Sequence, residues 1–189
     1  MNDMAEKNRF LEIAMQAARA AESGILKHFH DGITPDWKPD GSPVTAADRE
    51  AEEVIKKVVL GAFPDHGFMG EESGYMNQNS SYIWIVDPID ETKNFVRGIP
   101  VFASLIALMK DGEVIAGVSH APALGETYSA EKGKGAHWGD RRLSVSKTAT
   151  IAEAYVSFGG LKRFADGELA PSFASLVKAA PRPTGFAGF

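Results

Sequence analysis

The chain has 189 residues, 44% of them apolar and 24% charged, which is enough apolar side chain to bury a core in a single globular domain spanning 1–189. A formal charge of −5 supplies no basic stripe for a nucleic-acid partner. With no cysteine there are no disulfides, thiolate nucleophiles or Cys-based zinc sites, so a bound metal would rest on oxygen or imidazole, and a hard cation is the natural choice.

The opening residues Met1 to Arg9 are polar and mixed in charge, unlike a secretory leader. Phe10, Leu11, Ile13, Ala14, Ala17, Ala18, Ala21, Ile25 and Phe29 recur at helical spacing, with Asp3 and Glu6 as a capping pair and Gly32 as a stop. Ile33 to Pro43, rich in Pro, Gly and Asp, reads as a loop. Thr45 and Asp48 then have capping-box spacing ahead of Ala51, Val54, Ile55, Val58 and Val59, which predicts a second helix.

Phe68-Met69 forms a short apolar pair, and Tyr82-Ile83-Trp84-Ile85-Val86 reads as a buried strand that stops at Asp87-Pro88. Val101 to Met109 and Val114 to His120 flank Lys110-Asp111-Gly112-Glu113 and predict a hairpin, since Asp-Gly tolerates the positive φ of tight turns. No apolar run, Val101 to Met109 included, reaches the roughly 20 residues of a membrane span. A cytoplasmic protein without membrane partners is therefore expected. Short strands are expected around Gly133 and Gly139, then a strand over Ala154 to Phe158, a break at Gly159-Gly160 and a helix from Pro171 to Ala179. Helices that precede the strands in a block predict an α+β architecture, a helix pair layered on a largely antiparallel sheet. The apolar ending Thr184 to Phe189 suggests a chain that stops inside a larger fold.

In Trp84 to Phe95 a strand delivers Asp87, Asp90 and Thr92 into one tight turn, where Pro88 restricts the angle between the two aspartates. The same stretch also reads as an ordinary Asp-Pro turn closing a core strand. Gly70-Glu71-Glu72-Ser73 places two acids at another strand end, or simply in a solvated loop. Asp48 stands in the first turn of its helix, where the helix dipole alone would favour it. The five histidines show no metal-ligand spacing and read as packing or surface residues.

Taken in order, Ser42 to Asp48, Gly70 to Ser73 and Trp84 to Phe95 resemble the signature of the inositol monophosphatase family of metal-dependent phosphatases. The resemblance extends from the first helix to about Val145, through the Glu131 to Ala136 turn and a Leu143-Ser144-Val145 strand. It implies that Glu71, Asp87 and the Ile89 carbonyl bind one Mg²⁺ while Asp87 and Asp90 reach a second. It further implies that Thr92, paired with Asp48, orients the attacking water, and that amides around Glu91 and Thr92 hold the phosphate of a small phosphorylated metabolite. A homodimer is expected. Asn94 to Pro100 and Ser119 to Leu124 look more like the histidinol-phosphatase branch than the animal inositol branch. Lys38 matches a family lysine near the metal loop, and equally a solvent-exposed loop lysine. Two departures stand out. Glu91 replaces a family glycine where phosphate should sit, and no counterpart of the family's later Trp-Asp segment is present, so the carboxy-terminal part of the fold is expected to be absent. The alternatives are a catalytically impaired remnant or regulatory metal- or phosphate-binding protein of the same fold, and a related bisphosphate nucleotidase or fructose bisphosphatase.

Overall fold

Phe10, Ala14, Ala17, Ala18, Ala21 and Ile25 lie on one stripe of helix α1 (Asn2–Asp31) and are all buried, because spacings of three and four residues keep them on one face. Gly32 follows with φ of 76°, the left-handed conformation that closes a helix. A computed structural model describes residues 2–39, 41, 43–158, 169–180 and 182–185. The side chains of Asp3 and Glu6, the Gly159-Gly160 break and the tail residues 186–189 lie outside what is described. Of the described residues, those up to Leu143 form one compact unit and those from Ser144 onward a second.

In the first unit, part of the expected 33–43 loop pairs as a short antiparallel hairpin, β1 (Asp36–Trp37) with β2 (Pro43–Val44). Helix α2 (Ala46–Ala62) begins at the expected capping box. The Thr45 hydroxyl accepts from the amides of Ala47 and Asp48, while the Asp48 carboxylate accepts from the Thr45 amide at 2.8 Å. Its buried face carries Ala47, Ala51, Ile55 and Val59, and also two acids, Asp48 and Glu52.

The strands β3 (Gly67–Gly70), β4 (Gly74–Met76), β5 (Tyr82–Asp90), β6 (Ala103–Lys110), β7 (Glu113–Ala121), β8 (Glu126–Glu131), β9 (Gly135–Trp138) and β10 (Arg141–Arg142) form one sheet in the order β10-β9-β8-β7-β6-β5-β3-β4. Every neighbouring pair is antiparallel except β3 and β5. Register aligns buried residues in rows: Phe68 opposite Trp84, Trp84 opposite Leu108, Leu108 opposite Ala116. With Val86, Ile106 and Val118 these side chains share one core with the apolar stripes of α1 and α2. The fold is the expected helix pair on a largely antiparallel sheet. Asp111 and Gly112, with φ of 49° and 86°, make the two-residue β6–β7 turn.

Two expectations are corrected, and one strand is additional. Strand β5 does not stop at Asp87-Pro88 but runs on to Asp90, with the β5–β6 register shifting between Asp87 and Asp90. Proline lacks an amide to donate, and such an irregularity is where a strand accommodates one. Residues 143–145 are not a strand, although the Leu143 amide still bonds the Ala136 carbonyl at 2.8 Å, and Val145 is 93% exposed, with little burial to hold it in a sheet. The short strand β4 carries no apolar alternation and went unexpected.

In the second unit β11 (Tyr155–Phe158) pairs in parallel with β12 (Arg182–Gly185), and helix α4 (Ala170–Ala179) lies between them in sequence, starting with Pro171 in its first turn. His66 stacks between Phe63 and Tyr82, and His120 is buried with its ring bonded to Thr127, so both serve packing. Among the described residues no helix is long and apolar enough to cross a membrane.

Candidate active site

The parallel β3–β5 pair sets the site. Gly70 stands opposite Val86, and the Glu71 amide continues the ladder by donating to the Val86 carbonyl at 3.1 Å. Glu71 therefore leaves its strand beside Asp87, sixteen residues later in sequence. Beyond Asp87 the backbone is pinned at close range. Asp87 Oδ1 accepts from the Ile89 amide at 3.1 Å, and the buried Ser104 hydroxyl donates to the Pro88 carbonyl at 2.7 Å. Asp90 ends β5, Glu91 turns the chain, and Thr92 opens the single-turn helix α3 (Thr92–Phe95).

These acids crowd one another. The Asp87 carboxyl is pushed up to about 8 by burial first, then by the charges of Glu71 and Asp90. Asp90 is also raised, by burial and Glu71, against an opposing hydrogen bond from the Glu91 amide. Asp48, 1% exposed, is raised by burial although bonds from Thr45 favour its charged form, and Glu72 adds to the rise. Burial would lower the Lys38 ammonium, but its hydrogen bonds to Glu71 (2.8 Å) and Glu72 (2.7 Å) hold it well above its ordinary value.

The Thr92 hydroxyl lies 3.0 Å from the Ile89 carbonyl and 3.5 Å from Asp48 Oδ1. It has one proton to give, and the shorter contact to Ile89 is the stronger. Glu91 adopts φ 65°, ψ 45° and makes no side-chain cap. This is the left-handed region that glycine enters freely and an L-residue enters at a cost.

Asp48, Glu71, Asp87, Ile89, Asp90 and Thr92 are thus linked by direct contacts or mutual charge at one end of the β3–β5 pair. A donor set of carboxylates and one carbonyl suits a hard divalent cation, and acids crowded until one keeps its proton carry the charge that such a cation would neutralise. Among the described residues no three His, Asp or Glu side chains already converge as a cage. At Glu71 the Lys38 ammonium, 2.8 Å away, supplies a countercharge. Glu71 and Asp87 also line a concavity of about 620 Å³, together with Met69, Ile85, Leu105 and His137.

Three residues that shape this site stand outside the set the sequence assigns to it: Lys38, which the sequence matches equally to a family lysine near the metal loop and to a loop lysine; Thr45, which it reads as a cap; and Glu52. The signal for Glu52 was its position four residues after Asp48, on the same helical face.

The family model described as the inositol monophosphatase family matches residues 6–183. The histidinol-phosphatase of Mycobacterium tuberculosis is 42% identical over 191 residues, covering 98% of this chain and 73% of that protein. The inositol-1-monophosphatase of Mesorhizobium japonicum is 37% identical over 156 residues, covering 81% of this chain and 59% of that protein. The chain thus spans about three fifths to three quarters of the length of these two relatives. Among solved structures, the extragenic suppressor protein suhB of Bartonella henselae superposes with a TM-score of 0.88 at 30% identity, covering 95% of this chain and 71% of that one. The Thermotoga maritima IMPase superposes with a TM-score of 0.85 at 32% identity, covering 95% and 69%.

Proposed function

Because the chain belongs to the inositol monophosphatase family, we propose that it hydrolyses a small phosphate monoester with the help of Mg²⁺ held by Glu71, Asp87, Asp90 and the Ile89 carbonyl. The observation that carries this reading is the mutual crowding of Glu71, Asp87 and Asp90, which leaves Asp87 holding its proton up to about pH 8. A protein gains nothing in stability from such an arrangement unless a cation relieves it.

When bound, Mg²⁺ would offset the negative charge of the acids and the phosphate and make a coordinated water more acidic. The chain's own residues do the rest. Asp48 is fixed by two bonds from Thr45, at 2.8 and 2.6 Å, and its Oδ1 stands 3.5 Å from the Thr92 hydroxyl, which would turn its proton from the Ile89 carbonyl to Asp48 once that carbonyl holds the cation. Donating to Asp48 in that arrangement, Thr92 Oγ1 would present lone pairs that accept from, and so orient, the attacking water. Phosphate oxygens sit near Glu91 and Thr92, where backbone amides donate. Histidinol phosphate is the proposed ester, inositol monophosphate the next, since the histidinol-phosphatase relative matches along nearly the whole chain. The setting proposed is the cytoplasm, and the assembly a homodimer.

Glu91 favours a second reading, an impaired or regulatory metal- and phosphate-binding protein. Its carboxylate adds negative charge where phosphate would bind, and its backbone is strained. The test is phosphate release from histidinol phosphate and from inositol 1-phosphate by the purified protein with Mg²⁺, beside Thr92→Ala and Asp87→Asn. Release that both substitutions abolish supports the enzyme. Mg²⁺ binding without release from any ester supports the second reading, and absence of both overturns the site.

A further inference from the structure

Glu52 is 1% exposed in the middle of α2, in a position where a carboxylate is expensive to bury unless it is bonded. Both of its oxygens are used. Oε2 accepts from the Glu72 amide at 2.8 Å and Oε1 from the Ser73 amide at 2.8 Å. Two consecutive backbone amides donating to the two oxygens of one carboxylate make a charge-assisted pair that fixes distance and orientation together. The room for it is made by Gly70. A Cβ at that position would stand 2.4 Å from the Glu52 carboxyl carbon and 2.4 and 2.5 Å from its oxygens, so any larger residue would push the carboxylate off the turn.

What the grip holds is the turn that presents Glu71. On one side of Glu71 the chain is tied to β5 through the Val86 carbonyl, and on the other, at Glu72 and Ser73, it is tied to α2 through Glu52. We propose that Glu52 is a positioning residue, whose buried carboxylate clamps the amides of Glu72 and Ser73 and thereby fixes the Glu71 carboxylate against Asp87. This rests on the reading of Glu71 and Asp87 as cation ligands. Gly70 is the other half of the same device, kept free of a side chain so that the clamp can close. Glutamine at 52 keeps the shape but offers one acceptor and a donating amide to two N–H groups, so one bond is lost and the turn is released on that side.

The test is Mg²⁺ binding by the full chain, measured calorimetrically at a temperature where circular dichroism shows every variant folded. Wild type is compared with Glu52→Gln, Gly70→Ala, Asp87→Asn and, as a control for lost stability alone, Ile55→Val in the same helix. Glu52→Gln and Gly70→Ala are each expected to raise the Mg²⁺ dissociation constant about tenfold, while Ile55→Val lowers the melting temperature and leaves that constant unchanged. If wild type binds Mg²⁺, Asp87→Asn does not, and both clamp variants stay within about twofold of wild type, Glu52 is only structural and the proposal is overturned. If Ile55→Val weakens binding as much as the clamp variants, the effect follows from stability, and the proposal again fails. If wild type itself binds no Mg²⁺, the ligand assignment falls, and the clamp proposal falls with it.

Discussion

Asp87→Asn should stabilise the metal-free protein. In the folded chain the Asp87 carboxyl titrates near 8 against an ordinary value of 3.8. A carboxyl raised in this way contributes its full share of stability below about pH 4, and that share is lost as pH rises through about 8. At neutral pH the unfolded residue is ionised while the folded one still holds its proton, which by about 1.4 kcal/mol per unit would amount to roughly 4 kcal/mol. Partial exposure and the sharing of charge among three acids bring the expected effect to about 2–3 kcal/mol. Asparagine removes the charge and keeps an oxygen for the Ile89 amide. For a chain of this size the gain corresponds to roughly 5–10 °C in melting temperature. Melting curves in a chelating buffer between about pH 5 and pH 8 check it. Wild type should lose stability as pH rises, and Asp87→Asn should be flatter and higher near pH 8. Millimolar Mg²⁺ should restore wild type and leave the variant unmoved. Parallel pH profiles, or a variant less stable than wild type at pH 8, would refute the crowding on which the site rests.

Glu91→Gly removes a left-handed L-residue, a gain of about 1–2 kcal/mol, and adds unfolded-chain entropy worth about 0.4–1 kcal/mol. A rise of a few degrees in melting temperature is expected, with phosphate inhibition tightened about tenfold, and a fall in either would mean that the Glu91 side chain serves the site. Lys38→Met removes the ammonium bonded to Glu71 and Glu72. The metal-free protein should lose about 1 kcal/mol, and the rise in melting temperature on adding Mg²⁺ should exceed that of wild type. An equal or smaller rise would show that Lys38 does not stand in for the cation's charge.

The capping box at Thr45 and Asp48, the Asp-Gly hairpin and the alanine stripe of α1 were legible because each is a local rule, with the pattern and its cause lying within a few residues. The membership of Asp48, Glu71, Asp87, Asp90 and Thr92 in one constellation was legible through the resemblance of their flanking motifs. The state of that constellation was not. The Lys38 ammonium reaches Glu71 across 33 residues and Glu52 reaches Ser73 across 21, and nothing in either local sequence announces the encounter. The run of β5 through Pro88 was missed for a different reason. A proline forbids a ladder bond but not an extended backbone, and the tolerance depends on a register shift against β6 that a single strand cannot display.

The one parallel pairing among the sheet's neighbours has a consequence for how this protein can change its length. The separation of Glu71 from Asp87 is measured by rungs of the β3–β5 ladder and not by the chain that joins them. Extra residues beside Gln78 and Asn79, exposed and far along that connection, leave the two acids where they are at the cost of the Ser80–Asn77 turn bond and of loop entropy. One residue removed between Tyr82 and Val86 rotates everything after it by half a pleat. Asp87 would then face the wrong side of the sheet, and if the lost residue were Ile83, Trp84 would leave the core as well. Evolution can lengthen the path between these two carboxylates freely, whereas within the ladder it can move only in steps of two.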